Sequence, residues 1–353
     1  MDASDPQSYV LSADESEAIF ERDIVPAELG ALLLPADQQP NDASTNSNNA
    51  APRTPLAVLL IGQTGAGKSR TAPAIKQAME HLRGPARLAH FVADTYKTYH
   101  PAYRALLARN PALASPATAP DARRWLATAA ARAAAARADV LLESAARHPA
   151  DFAQLAALFR GAGYRVEAAV LAVPAALSRL GVLARFYGGL GQGGGLPVRL
   201  TPRAVHDASY AGLLEAAAFV DASDAVDQVV VVRRDGMVAY VNERAGRVGS
   251  GGGSSSSSWR REAGVAAAVR AERERPLTLV EKTGAESSLR ELRDTNVPSL
   301  ESQLVEIEGL LEPLMGDLDQ SAYAPLRPLS LPSSAQDESF DVEAGLRLGV
   351  ISS

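Results

Sequence analysis

The chain has 353 residues, 46% of them hydrophobic, a formal net charge of −6 and no cysteine. That is enough apolar material for one sizeable core and a small second unit. The acidic balance offers no basic surface for nucleic acid, and the absence of cysteine excludes disulfides, thiolate zinc sites and cysteine nucleophiles. No apolar run approaches the ~20 residues of a membrane-spanning helix. The opening Met-Asp-Ala-Ser-Asp-Pro-Gln is unlike a signal or transit peptide, so the expectation is a cytoplasmic protein without membrane or nucleic-acid contact.

Ser12 to Leu34 is expected to be helical: Ser12 and Glu15 fit a capping box, and Ile19, Phe20 and Ile24 give an apolar side. Pro26 is expected to end that helix, with a second starting at Ala27. Gln38 to Asn49 is polar and of low complexity, and reads as a loose insertion. Leu56 to Ile61 is an apolar run of strand length. It is followed by Gly62-Gln63-Thr64-Gly65-Ala66-Gly67-Lys68-Ser69 and then a helical pattern with Ala74, Ile75 and Ala78. This is the phosphate-loop spacing G-x-x-x-x-G-K-[ST] in the strand–loop–helix context that the motif demands.

Each residue type has a physical reason. The glycines let the backbone approach phosphate closely, and the loop amides and helix N-terminus then face its oxygens. Lys68 supplies a cation to the β- and γ-phosphates, and Ser69 offers a hydroxyl to Mg²⁺. The bound nucleotide is expected to be ATP with Mg²⁺. Pro73 falls early in the helix, where a missing amide costs least.

Ala86 to Asp94 reads as a second strand ending in a carboxylate, beside the phosphate loop if the sheet is parallel. A long alanine-rich helix is expected from Ala122 to about Arg137, then a third strand from Val140 to Glu143. Ala153 to Ala162 reads as helix, Arg165 to Val173 as strand, and Pro174 to Arg185 as helix. This alternation implies an α/β fold: a P-loop NTPase-type parallel sheet flanked by helices. Gly188 to Gly195 reads as a flexible loop and Pro202 to Ala217 as helix. Val229 to Arg233 and Met237 to Val241, around Asp235-Gly236, read as a hairpin. Gly246 to Ser258 has linker composition. Glu262 to Arg275, Ser287 to Arg293 and Pro298 to Leu311 have helical character, and the end is rich in proline and serine. The expected organisation is an N-terminal helical extension over 1–37, a flexible insertion over 38–53, the catalytic domain over 54–245, a linker over 246–258, and a helical appendage with a disordered tail over 259–353.

No Asn-Lys-x-Asp motif marks a GTPase, and no strand ending in Asp-Glu marks a mechanical ATPase. A small-molecule kinase needs a carboxylate near the γ-phosphate and arginines around the moving charge. The phosphate loop is followed in order by Asp94-Thr-Tyr-Lys-Thr-Tyr-His100-Pro101, Leu-Leu-Glu143-x-x-x-Arg147, Ala172-Val-Pro174, Arg185-Phe-Tyr and Val-Arg199-Leu-Thr201-Pro202. Over Thr54 to Glu243 this resembles the zeta toxin family, phosphate-loop kinases that phosphorylate the 3′-hydroxyl of the amino sugar in UDP-N-acetylglucosamine. The resemblance implies that Lys68 holds the β- and γ-phosphates, Ser69 the Mg²⁺, and Asp94 the proton of the sugar hydroxyl. Glu143 and Arg147 contact the sugar nucleotide, and Arg185 and Arg199 neutralise the transferring phosphoryl group. It also implies an antitoxin partner that covers the ATP site; that the Ser12 to Leu34 helix or the C-terminal tail does so in cis stays open.

The sequence departs from the family on the acceptor side. Glu143-Ser144-Ala145 stands where the family has Glu-Gly-Thr, Trp125 to Ala130 holds no acid, and the segment between Arg185 and Arg199 is glycine-rich rather than acidic. A kinase of another small molecule, such as an antibiotic or a dinucleotide, or a non-catalytic ATP-binding interaction module therefore stay open.

Overall fold

In the computed structural model the structure describes residues 5–32, 53–189, 200–245, 258–316, 326–334 and 336–350. Most of the polar insertion over 38–53, most of the glycine-rich stretch with Arg199, and nearly all of the linker over 246–258 lie outside these residues. In chain order the elements are α1 (Ala13–Ile19), β1 (Leu56–Gly62), α2 (Lys68–Arg83), β2 (Leu88–Val92), α3 (Tyr103–Arg109), α4 (Pro111–Ala135), β3 (Asp139–Ser144), α5 (Pro149–Gly161), β4 (Arg165–Leu171), α6 (Ala175–Gly189), α7 (Arg203–Ala222), β5 (Gln228–Val232), β6 (Met237–Glu243), α8 (Val265–Glu274), α9 (Leu279–Asp294), α10 (Glu301–Leu311) and β7 (Arg327–Pro328).

The strands form one seven-stranded sheet in the order β2-β3-β1-β4-β5-β6-β7. Strands β2, β3, β1, β4 and β5 are mutually parallel. Strands β5 and β6 form the antiparallel hairpin that the Asp-Gly turn announces, and β7 adds to its edge. This is the P-loop NTPase-type α/β fold.

Strand β1 is central and buried along its whole length. Ala57, Leu59 and Ile61 face a core built with α4, α5, α7, α8 and the N-terminal helix. Leu56, Val58 and Leu60 face the other core, built with α2, α6, α9 and α10. A strand alternates its side chains, so burial on both faces requires the unbroken apolar run seen in the sequence.

Two expectations about helix ends are corrected. Pro26 does not end the N-terminal helix. The chain continues from α1 through a π-helical segment, Phe20–Leu29, that contains it. The wider turn tolerates a missing donor, and the buried Phe20, Ile24 and Leu29 hold the segment on the core. Helix α4 likewise starts at Pro111, not Ala122, and runs through Pro116 and Pro120. Burial of Leu113, Ala114 and Ala117 beside Leu106 of α3 offsets the cost of the prolines. The N-terminal segment is tied to α4: Leu11 donates its amide to Asp121 at 3.1 Å, and the Trp125 indole donates to the Ser16 carbonyl at 3.0 Å.

The C-terminal residues join the same cores. Val265 and Val269 enter one, and Leu289, Leu304, Ile307 and Leu311 the other. Near residue 350, Ala344, Leu346 and Leu348 are buried. The amides of Leu348 and Gly349 donate to the buried Glu167 carboxylate at 2.8 and 2.9 Å.

The base of β1 is fixed by Asp139, which accepts from the Leu56 amide at 2.8 Å and from Arg83 Nε and Nη2 at 2.8 and 2.7 Å. Removing one partner of a buried pair strands the other charge. Asp139→Ala is expected to lower unfolding stability by about 3–5 kcal/mol, read from the urea midpoint at constant m-value. A loss below about 1 kcal/mol, the size of a surface pair, would contradict this anchoring.

Candidate active site

The carboxyl ends of β1, β2 and β3 lie side by side, with Leu60 opposite Glu143 and Glu143 opposite Val92. Strand order reverses around β1, and ligands of open α/β sheets bind at such a point. The phosphate loop leaves β1 there and enters α2.

The loop is held from its outer side. Gln63 is fully buried, donating to the Val173 carbonyl at 2.5 Å and accepting from Arg273 Nη2 at 3.4 Å. The Thr64 amide donates to Ser209 Oγ at 3.1 Å. Arg234 Nη1 donates to the carbonyls of Gly65 and Leu177, each at 2.9 Å. Ser178 Oγ lies 2.8 Å from His206 Nε2. Burial holds that imidazole below its usual range, against the pull of Asp207. Ser178, His206 and Asp207 resemble a nucleophile triad only in residue type, because the Ser178 hydroxyl is fully buried.

Gly65 and Gly67 have φ of 82° and 104°, where L side chains are strained. A Cβ on Gly65 would sit 2.0 Å from the Ser178 carbonyl oxygen, whereas one on Gly67 would meet nothing within 4 Å. The loop is thus pressed on the protein at Gly65 and open at Gly67. Gly67 caps α2 without a side-chain hydrogen bond. The inner amides can therefore take phosphate oxygens, and the residues fit a nucleotide triphosphate. The Ser69 hydroxyl borders the same cavity and fits a Mg²⁺ ligand. Among the described residues no group of three or more acidic or histidine side chains could hold a metal by itself.

Two cavities meet at this loop. One, of about 800 Å³, extends from Gly65–Arg70 past Arg185 of α6 and Arg234 to α9. The other, of about 120 Å³, lies under α4 and α5 and is lined by Lys97, Arg123, Glu143, Arg147 and His148. Thr64, Lys68, Val92, Asp94 and Glu143 border both. The structure therefore brings together Lys68, Asp94, Glu143, Arg147 and Arg185 around one junction. Arg199 lies outside the described residues.

Lys68 Nζ donates to the Gly62 carbonyl at 2.6 Å. Burial, with Arg185 acting in the same direction, pushes this ammonium down to about 8 against the pull of Asp94 and Glu143. Asp94 is held by Lys97 Nζ at 2.5 Å, with its side chain 71% exposed. Glu143 lies 2.9 Å from His90 Nε2. His148 is held below the usual imidazole range, first by burial and then by Arg123, with Arg147 and Lys97 adding to it. The smaller cavity thus carries four cations, Lys68, Lys97, Arg123 and Arg147, against three carboxylates, Asp94, Glu143 and Asp151.

Sequence reasoning missed Arg234, Arg273, Arg123 and the α9 wall. Arg234 follows the hairpin strand and precedes the Asp-Gly turn, a local signal that the turn motif masked. Arg123 and α9 become neighbours of the site only through tertiary packing.

Fold and loop define a nucleotide-binding protein of the phosphate-loop class. The zeta toxin family model matches residues 41–245, more than half of the chain, and the chain belongs to that family, whose members are kinase-like phosphotransferases. A structure from work on the PezAT chromosomal toxin–antitoxin system of the human pathogen Streptococcus pneumoniae is similar over 81% of this chain and 98% of that chain. Its identity is 18% and its TM-score 0.56. A structure of AvrRxo1-ORF1 with AvrRxo1-ORF2 and ATP is 16% identical over 62% of this chain and 64% of that one, at a TM-score of 0.39. No curated protein sequence matches. Among the described residues no helix is long and apolar enough to cross a membrane.

The lysine gives the site a pH signature. Its ammonium attracts phosphate, and in the free protein it loses its proton above about pH 8. Bound phosphate raises that value. ATP affinity is therefore expected to fall by about tenfold per pH unit as pH rises above 8, with nearly one proton taken up on binding there. Calorimetry in buffers of different ionisation enthalpy checks this, and an affinity constant from pH 7 to 10 would contradict it.

Proposed function

We propose that this chain transfers the γ-phosphoryl group of ATP to the 3′-hydroxyl of the amino sugar in UDP-N-acetylglucosamine. The observation that carries the reading is the shared border of the two cavities, where Lys68, Asp94 and Glu143 stand between a nucleotide-sized space and a smaller pocket. Family membership supports the reaction type.

In this reading the loop amides and Lys68 hold the β- and γ-phosphates. Asp94 accepts the proton of the sugar hydroxyl as its oxygen bonds to the γ-phosphorus and the bond to the β–γ bridging oxygen breaks, so that ADP leaves. Asp94 is exposed and paired to Lys97, and it both orients the hydroxyl and takes its proton. Arg185 and Arg199 neutralise charge on the transferring group. Ser69 would hold Mg²⁺, which when bound would supply charge neutralisation to the triphosphate. Glu143 and Arg147, with Lys97 and Arg123, receive the sugar nucleotide and its diphosphate. The catalytic unit is residues 54–245, and an antitoxin-like partner over the ATP cavity is the accompanying proposal for control.

The size of the acceptor-side cavity favours a second reading. At about 120 Å³ it is smaller than the ~300–1,000 Å³ of most small-molecule sites, and Ser144-Ala145 replaces the family's Gly-Thr. Either the cleft widens around a sugar nucleotide, or a smaller alcohol is the acceptor.

Incubation with γ-labelled ATP and UDP-N-acetylglucosamine is expected to give labelled sugar nucleotide. Lys68→Ala should abolish transfer, and Asp94→Asn should lower kcat by about 10²–10⁴-fold with little change in ATP affinity. Bound ATP without labelled sugar nucleotide would remove this acceptor, and a labelled metabolite extract would then reveal the smaller one.

A further inference from the structure

The larger cavity is far bigger than a triphosphate needs, and its outer wall is not part of the family match. That match ends at residue 245, whereas the wall facing the phosphate loop and α6 is α9, through Val280, Glu281, Gly284, Ala285 and Ser288. Val280, Gly284 and Ser288 follow one another at four-residue spacing, so they form one stripe along the helix.

Two features of the stripe shape the cavity. Gly284 sits within α9, where glycine weakens a helix relative to alanine. No positive φ at this residue requires glycine. A Cβ there would meet nothing within 4 Å, so the residue leaves open space on the cavity side of the helix, as Gly161, Gly188 and Gly309 do elsewhere. Val280 is 77% exposed, an apolar side chain at the cavity rim.

The wall is also held in place. Thr278 and Glu281 form a capping box at the start of α9. Glu281 is bidentate to Arg275, with both contacts at 2.7 Å; Arg275 reaches Glu272 at 2.7 Å, and Glu272 binds Arg233 at 2.6 Å. All four are buried. Arg233 precedes Arg234, whose guanidinium grips the Gly65 carbonyl. A chain of charge-assisted hydrogen bonds thus sets α9 at a fixed spacing from the phosphate loop.

We propose that α9 is the nucleoside wall of the donor site, with the base and ribose seated between α6 and α9 and Gly284 leaving the room they occupy. This rests on the reading of the loop as an ATP site. It makes the segment beyond the family match a determinant of donor affinity.

The test compares ATP with inorganic tripolyphosphate, which fills the phosphate loop and has no nucleoside. In the full-length protein, Gly284→Leu is expected to keep or raise Tm, because leucine favours helix and its Cβ enters open space. It should weaken ATP binding at least tenfold and leave tripolyphosphate binding within about twofold. Retained tripolyphosphate binding also reports an intact fold. ATP and tripolyphosphate affinities that shift together, or that both stay unchanged, would overturn the assignment. The readout is donor binding alone, so a failure to phosphorylate a sugar nucleotide would remove the acceptor proposed above and leave this result standing.

Discussion

The fold turns on one constraint: a loop must offer its amide hydrogens to an anion while its carbonyls stay satisfied elsewhere. Buried carbonyls without partners are costly. Here Arg234 takes the Gly65 carbonyl and Lys68 the Gly62 carbonyl. Val173 and Ser209 take donors of Gln63 and Thr64 from behind. The side of the loop at Gly67 is left open. The central strand, buried on both faces, holds the loop still, and helices from both ends of the chain cover those faces.

The same arrangement explains the electrostatics. A lysine in a low-dielectric site loses stability in its charged form. Two carboxylates at the ends of neighbouring strands pull the other way. The site is therefore poised for an anionic ligand, whose own charge would stabilise the ammonium further. The smaller cavity is more evenly balanced, with four cations facing three carboxylates along its wall.

Much of this was legible in the sequence because it is local. The phosphate loop, the apolar run before it, the capping box at Ser12 and the Asp-Gly hairpin each depend on neighbours in the chain. Asp94 and Glu143 could be placed because they follow strand-like runs, and parallel strands end on one edge. Pro26 misled local reasoning, and the start of α4 was placed too late, because burial against distant elements offset the cost of Pro26, Pro116 and Pro120. The roles of Arg234, Arg273 and α9 were invisible for the same reason: each acts across a large separation in sequence. The tail near Leu346 and Leu348 has no periodic apolar pattern, yet Glu167 gathers its amides.

The central claim is that donor and acceptor spaces meet at Lys68 and Asp94. The most direct measurement is a crystal structure with a non-hydrolysable ATP analogue and Mg²⁺. The expected result is a γ-phosphate at the junction, with Lys68 Nζ turned from the Gly62 carbonyl onto it and the Asp94 carboxylate on its acceptor side. A triphosphate bound with its γ-phosphate pointing away from Asp94, and Lys68 still on Gly62, would contradict the account.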